Sequence, residues 1–188
     1  MLETTLAYRK MQTGEIYRIG EVNREEIVLA EYVVQRDDTR FGLAARKIRR
    51  PAPLKIAPWS KDGIQKRVTG WKPALEDGGL MYGAFDVQKL VGFVILGPKK
   101  PDRSGEIIAL FIDRDYRRQG IAGELLAWAE RKALALGMES LYVYANPTES
   151  SLSFYLKNSF EIVGLISKEI VGSLPGDIVM AKILPSNG

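Results

Sequence analysis

The stretch GEIIALFIDRDYRRQGIAGELLAWAERKALAL, residues 105–136, decides the fold. Residues 105–113 are a nearly continuous apolar run of strand length, the pattern of a strand covered on both faces. Residues 120–136 place Ala122, Leu125, Leu126, Ala129, Ala133 and Leu136 on one helical stripe, with Glu124, Arg131 and Lys132 largely off it. Gly137 then supplies a stop. The helix opens at Gly120, where the first-turn N–H groups lack helical partners and the dipole adds partial positive charge. A glycine there lets an oxygen-rich group approach the backbone, Ala122 and Gly123 keep the next turn open, and Arg117 and Arg118 add charge at the rim. The residues alone admit two readings: a phosphate or pyrophosphate cradle, or a sharp turn with solvated arginines.

Working outward, LMYGAFD (80–86) and KLVGFVILG (89–97) read as a hairpin turning at Val87 and Gln88. Downstream, SLYVYA (140–145) reads as a strand and SSLSFYLKN (150–158) as a short helix. FEIVGLI (160–166) and DIVMAKIL (177–184) read as the last two strands. The turn before the short helix offers Asn146 as cap, with Pro147 first in the helix and Glu149 completing a capping box; Thr148 is an equal candidate for the cap. The N-terminal half is harder to read. Residues 1–12 look like a loose start, EIYRIG (15–20) like a strand, and REEIVLAEYVVQ (24–35) like a helix capped by Asn23, although its apolar stripe is imperfect. A short strand is expected near 41–48, and a helix over 62–77 interrupted at Gly70 and Pro73.

The chain of 188 residues is long enough for one domain with a real core. It holds no cysteine, which excludes disulfides, thiolate zinc sites and a cysteine nucleophile, and no histidine, the commonest general base and zinc ligand. Proton transfer must therefore use carboxylate, lysine, tyrosine, backbone or water, and no metal is expected. The net charge of +4 is mild. Its clearest cluster, Arg46, Lys47, Arg49, Arg50 and Lys55, reads as a solvated basic loop, so no nucleic-acid partner is expected. No apolar run has membrane-helix length and the N-terminus has no secretory core segment, so a soluble cytoplasmic protein is expected.

R-R-Q-G-I-A (117–122) resembles the Arg/Gln-x-x-Gly-x-Gly/Ala signature of the GNAT superfamily, the general N-acetyltransferases that use acyl-coenzyme A. The strand before it and the helix after it fit the same resemblance, as does NPTESSLSFYLKNSF (146–160), with Ser159 where the family commonly has glycine. The resemblance covers residues 80–184 well and residues 15–78 only as an order of elements. It implies a mixed α+β fold in a single domain over 1–188: a mostly antiparallel sheet, splayed between the strands flanking the loop helix, with helices on both faces. It implies acetyl-CoA as co-substrate, its pyrophosphate held by Arg117, Arg118, Gln119, Gly120, Ile121, Ala122 and Gly123. Its pantetheine arm would lie along the backbone of Leu110, Phe111 and Ile112, near Asn146. Tyr155 would be the general acid, against a reading as core packing beside Leu152 and Leu156. Glu106, fourteen positions before Gly120, would be the base, against a reading as a solvated strand end. Glu25, Glu26 and Glu31 fall where the family binds acceptors, though a solvated helix face explains them as well. The implied activity is acetyl transfer to a primary amine on a small molecule or peptide, by direct attack, with a homodimer allowed. A non-catalytic acyl-CoA sensor is the alternative; a nucleotide-binding protein is poorer, because neither GxxxxGK[ST] nor GxGxxG is present.

Overall fold

The computed structural model describes residues 6–37, 42–165 and 178–185. In chain order the elements are β1 (Ala7–Met11), a 3-10 helix (Thr13–Glu21), β2 (Glu26–Asp37), β3 (Gly42–Ile56), α1 (Lys61–Glu76), β4 (Leu80–Asp86), β5 (Lys89–Leu96) and β6 (Ser104–Ile112). A single 3-10 turn (Arg114–Tyr116) leads to α2 (Ile121–Ala135), β7 (Ser140–Ala145), α3 (Glu149–Lys157), β8 (Glu161–Leu165) and β9 (Ile178–Ile183). Seven strands form one sheet in the order β1-β4-β5-β6-β7-β9-β8, and β2 and β3 form a separate ribbon. Among the described residues of the large sheet only β6 and β7 run parallel, joined by the α2 crossover. No helix among the described residues is long and apolar enough to cross a membrane.

β5 shows why the sheet is covered on both faces. Val91, Val94 and Leu96 pack into one core with Leu125, Leu126 and Ala129 of α2. Leu90, Phe93 and Ile95 point the other way, against Ile16 and Ile19 of the 3-10 helix and Val68 and Leu75 of α1. Each fully buried side chain of this size contributes about 1.5–3 kcal/mol.

β6 carries the feature that matters most. Ile95 and Leu96 of β5 face Ala109 and Ile107, so Ile108 is an extra residue in the ladder. Such a bulge bends a strand and increases its twist. On the other side, β6 pairs with β7 through Ser104–Ser140, Gly105–Leu141 and Glu106–Tyr142, and there the pairing ends. Beyond Glu106 the two strands part, which is the expected splay.

The N-terminal half departs from its sequence reading. EIYRIG lies in a 3-10 helix rather than a strand: the buried Ile16 and Ile19 recur at three residues, the 3-10 period, and not at two. Residues 24–35 are mostly β2 rather than a helix. Their β-branched and aromatic content (Ile27, Val28, Tyr32, Val33, Val34) suits a pleated surface, and they pair antiparallel with β3, with a register shift between Val28 and Ala30 that explains the imperfect stripe. Asn23 caps no helix; its side chain accepts from Glu25 N at 3.0 Å. The expected short strand extends to Ile56, so the basic cluster lies on a strand, where Lys47 pairs with Glu149, Arg50 with Glu31 and Lys55 with Glu25. Part of the expected loose start is β1, paired with β4. α1 runs unbroken past Gly70 and Pro73. Residues 1–5, Phe41, Ile166 and Asp177 lie outside the described residues.

The end of α3 bears on the site. Ser159 adopts a φ of 65°, with Ser159 N donating to Leu156 O at 3.2 Å and Phe160 N donating to Tyr155 O at 3.0 Å. This is the paired-bond helix stop that glycine favours, and it brings Phe160 onto Tyr155, ring centroids 5.3 Å apart. A non-glycine residue in the left-handed region costs about 1–2 kcal/mol, partly offset by its smaller unfolded-state freedom. Ser159→Gly should therefore raise the unfolding free energy by about 0.5–1 kcal/mol, read by urea denaturation.

Candidate active site

The loop from β6 to α2 is fixed by Asp113, whose side chain is completely buried. One oxygen accepts from Lys89 Nζ at 2.9 Å and from Asn23 N at 3.1 Å, and the other from Asp115 N at 3.1 Å. Its own N–H donates to Val91 O at 2.8 Å, and Arg114 N donates to Asn23 O at 2.8 Å. Burial would raise its pKa, but the Lys89 ammonium and the Asn23 and Asp115 N–H groups outweigh that and hold it below the ordinary carboxylate value.

Past this anchor the backbone opens. Among the described residues, no backbone N–H from Arg117 to Gly123 donates to a protein acceptor; the next to do so is Glu124 N, to Gly120 O at 3.2 Å. Gly120 sits at a φ of 84° as the N-cap of α2, in the left-handed region that glycine enters freely. A Cβ added at Gly120 or Gly123 would meet no protein atom within 4 Å. Row upon row of free donors at a helix start, with clear space before them, suits a phosphate-bearing ligand. Arg118 is also left-handed, at a φ of 61°. Arg117 is turned away toward β2: it donates to Arg24 O at 2.9 Å and Ile112 O at 3.4 Å, and lies 3.6 Å from Glu26. Gln119 Nε2 donates to Asp115 O at 3.3 Å, and Ile121 is buried in the core, so these two would serve through their backbone.

Leu110, Phe111 and Ile112 pair with β5 on one side and lie beyond the last β6–β7 rung on the other. Asn146 is exposed at the end of β7 and caps nothing: Thr148 is the cap, accepting from Ser151 N at 3.4 Å, and α3 begins at Glu149. Glu106 stands on the rung where the strands separate, and Tyr142 Oη donates to its Oε2 at 3.2 Å. Burial, then the Glu106 carboxylate, push the Tyr142 hydroxyl's pKa up. Tyr155 is buried between Phe154 and Phe160, and burial raises its pKa, so it stays protonated at neutral pH.

β2 bridges the parted strands. Beside its start, Asn23 and Arg24 receive the bonds from Arg114 and Arg117 already described. Further along, Tyr32 N donates to Pro147 O at 2.7 Å, Tyr32 Oη lies 3.1 Å from Ser153 Oγ, and Glu31 forms a bridge with Thr148. The acidic residues of this segment are engaged, Glu25 with Arg114 at 2.5 Å, Glu26 with Arg117, and Glu31 with Arg50, so they form no open carboxylate face.

Three groups escaped the sequence reading: Asp113, Tyr142 and an aromatic cluster around Trp59. An aspartate closing an apolar strand was a usable sign for the first. Tyr142 and Trp59 acquire their partners only through strand order and helix docking.

Residues 29–160 match the acetyltransferase (GNAT) family. The chain belongs to that family. No curated protein matches the sequence. Among solved structures, nourseothricin acetyltransferase aligns over 97% of this acetyltransferase-family chain and 100% of its own, with a TM-score of 0.75 at 18% identity. The ribosomal-protein-S18-alanine N-acetyltransferase of Escherichia coli aligns over 98% and 97%, with a TM-score of 0.65 at 14% identity. The PaiA N-acetyltransferase of Thermoplasma acidophilum, in complex with coenzyme A, aligns over 95% and 99%, with a TM-score of 0.60 at 19% identity. At such identities these likenesses establish the fold that the GNAT match names.

Because the folded Asp113 has the lower pKa, its stabilisation is fully present above the unfolded value near pH 4 and is lost as pH falls through the folded value. Asp113→Asn should flatten that acid limb in denaturation curves and lower stability at neutral pH by about 1–3 kcal/mol.

Proposed function

We propose that the protein is an N-acetyltransferase that carries an acetyl group from acetyl-CoA to a primary amine by direct attack. The observation that carries this reading is the run of unengaged backbone N–H groups from Arg117 to Gly123, set beside the gap between β6 and β7. Acetyl-CoA supplies a thioester already activated for transfer. Backbone N–H groups from Arg117 to Gly123 bind the pyrophosphate, with the Arg118 side chain at the rim, while the Arg117 guanidinium stays on Arg24 O. The unpaired edge of Leu110, Phe111 and Ile112 bonds the pantetheine amides as an added strand would, with Asn146 on the opposite side.

Glu106 takes the proton from the incoming amine, directly or through water. Tyr142 holds that carboxylate in place. Tyr155 gives its proton to the sulfur as the C–S bond breaks; burial keeps the phenol neutral, so a proton is there to give. With neither cysteine nor histidine in the chain, these roles fall to a carboxylate and a phenol.

Tyr155→Phe should lower kcat about 10²- to 10⁴-fold while acetyl-CoA binding by calorimetry is kept. Glu106→Gln should lower kcat about 10²- to 10⁴-fold while acetyl-CoA binding is kept; an unchanged kcat would dismiss the base role. Gly123→Ala separates ligand from fold. Its methyl meets no protein atom and alanine favours the helix by up to about 1 kcal/mol, so stability should hold or rise while acetyl-CoA affinity falls.

A further inference from the structure

On the face of β6 away from α2, Trp59, Trp71, Phe93 and Phe111 form an aromatic cluster, with Trp59 and Phe111 centroids 4.8 Å apart. Trp59, Trp71 and Phe111 are only half-buried, so the cluster has an open side. Two guanidinium groups lie over the Trp59 ring, Arg67 at 4.9 Å and Arg24 at 5.7 Å from its centroid. Each is half-buried, and among the described residues neither forms a salt bridge with a carboxylate. Arg24 donates to Ala57 O at 3.1 Å and Arg67 to Gly63 O at 3.2 Å, so most of their five donors each are unspent. The indole Nε1 of Trp59 is buried without a hydrogen-bond partner.

Two like charges held on one indole are unfavourable unless something anionic lies between them. Burial lowers the pKa of both; the Arg24 charge lowers Arg67 further, and Glu26 opposes the effect at Arg24. The nearby acids are committed elsewhere, Glu26 to Arg117 and Glu25 to Arg114 and Lys55. The site adjoins both halves of the proposed machinery. Phe111 belongs to the strand assigned to the pantetheine arm, and Arg24 O accepts from Arg117 of the phosphate loop.

From this geometry we infer that the acceptor is an amine that also bears a carboxylate and an apolar group, such as an apolar amino acid, and is not a polycationic amine. The inference rests on the acyltransferase reading above. Planar guanidinium forks match a carboxylate, Trp59 Nε1 adds a donor, and Trp71 and Phe111 take the apolar side chain.

The test compares phenylalanine with phenethylamine, the same skeleton without the carboxylate, by tryptophan fluorescence titration with and without coenzyme A. Phenylalanine should bind about 10- to 100-fold more tightly. Arg67→Ala, and Arg67→Gln as a second variant with its fold checked by circular dichroism, should erase the difference while coenzyme A affinity by calorimetry holds. Equal or tighter binding of phenethylamine, or binding of neither amine, would overturn the inference. So would a fall in coenzyme A affinity in the Arg67 variants, which would give the arginines to the coenzyme. Failure of the wild-type protein to bind acetyl-CoA would instead strike the acyltransferase reading, and the titration without coenzyme reports on the arginines separately.

Discussion

One surplus residue in β6 organises this molecule. Ile108 has no opposite number in β5, and a strand with an extra residue must bend. The bend begins where pairing with β7 ends, at Glu106 and Tyr142. A parallel pair that continued would bury its backbone groups in a ladder and leave no opening. Because it stops, β6 keeps one edge unpaired by β7 inside the sheet rather than at its rim. That placement protects the free edge from chance strand partners, the usual hazard of exposed edges.

The opening is useful only if its surroundings hold still. On one side Asp113 spends a buried charge to tie the β6 end to β5, to the 3-10 turn and to the segment before β2. Removing a carboxylate from water is costly, and the three donors converging on it are what make it tolerable. On the other side the stop at Ser159 sets Phe160 against Tyr155. Both devices act on the backbone just outside a secondary-structure element, where small errors of direction would carry furthest.

The C-terminal half was legible because its signals were local. The two-sided apolar runs, the stripe of α2 and the glycine at its mouth each follow from neighbouring residues, and the family resemblance rested on them. The N-terminal half was less so. Residues 24–35 offer a capping asparagine at Asn23, glutamates where a first helical turn would be and a partial helical stripe, and only the pairing with the long strand β3 makes most of them a ribbon. The 3-10 helix hid because two isoleucines at a spacing of three fit neither common period. Asp113 was in plain view yet could not be valued without Asn23 and Lys89, which lie 90 and 24 positions away. Thr148 as the cap and Ser159 in a glycine-like turn show the same limit on a smaller scale: the residue type allows the geometry, and the packing chooses it.

Among the described residues the β2–β3 ribbon shares no ladder with the seven-stranded sheet. It is held at the gap by bonds from Asn23, Arg24 and Tyr32, by the Glu31–Thr148 bridge, by ion pairs from Glu25, Glu26 and Lys47, and by Tyr32, Val34 and Ala45 packed on the core. Elements attached in this way open at a fraction of the global unfolding free energy. By that rule its amides should exchange before those of β5, whose apolar side chains are buried on both faces. Opening such a wall would leave the floor folded, at no cost to the stability of the core.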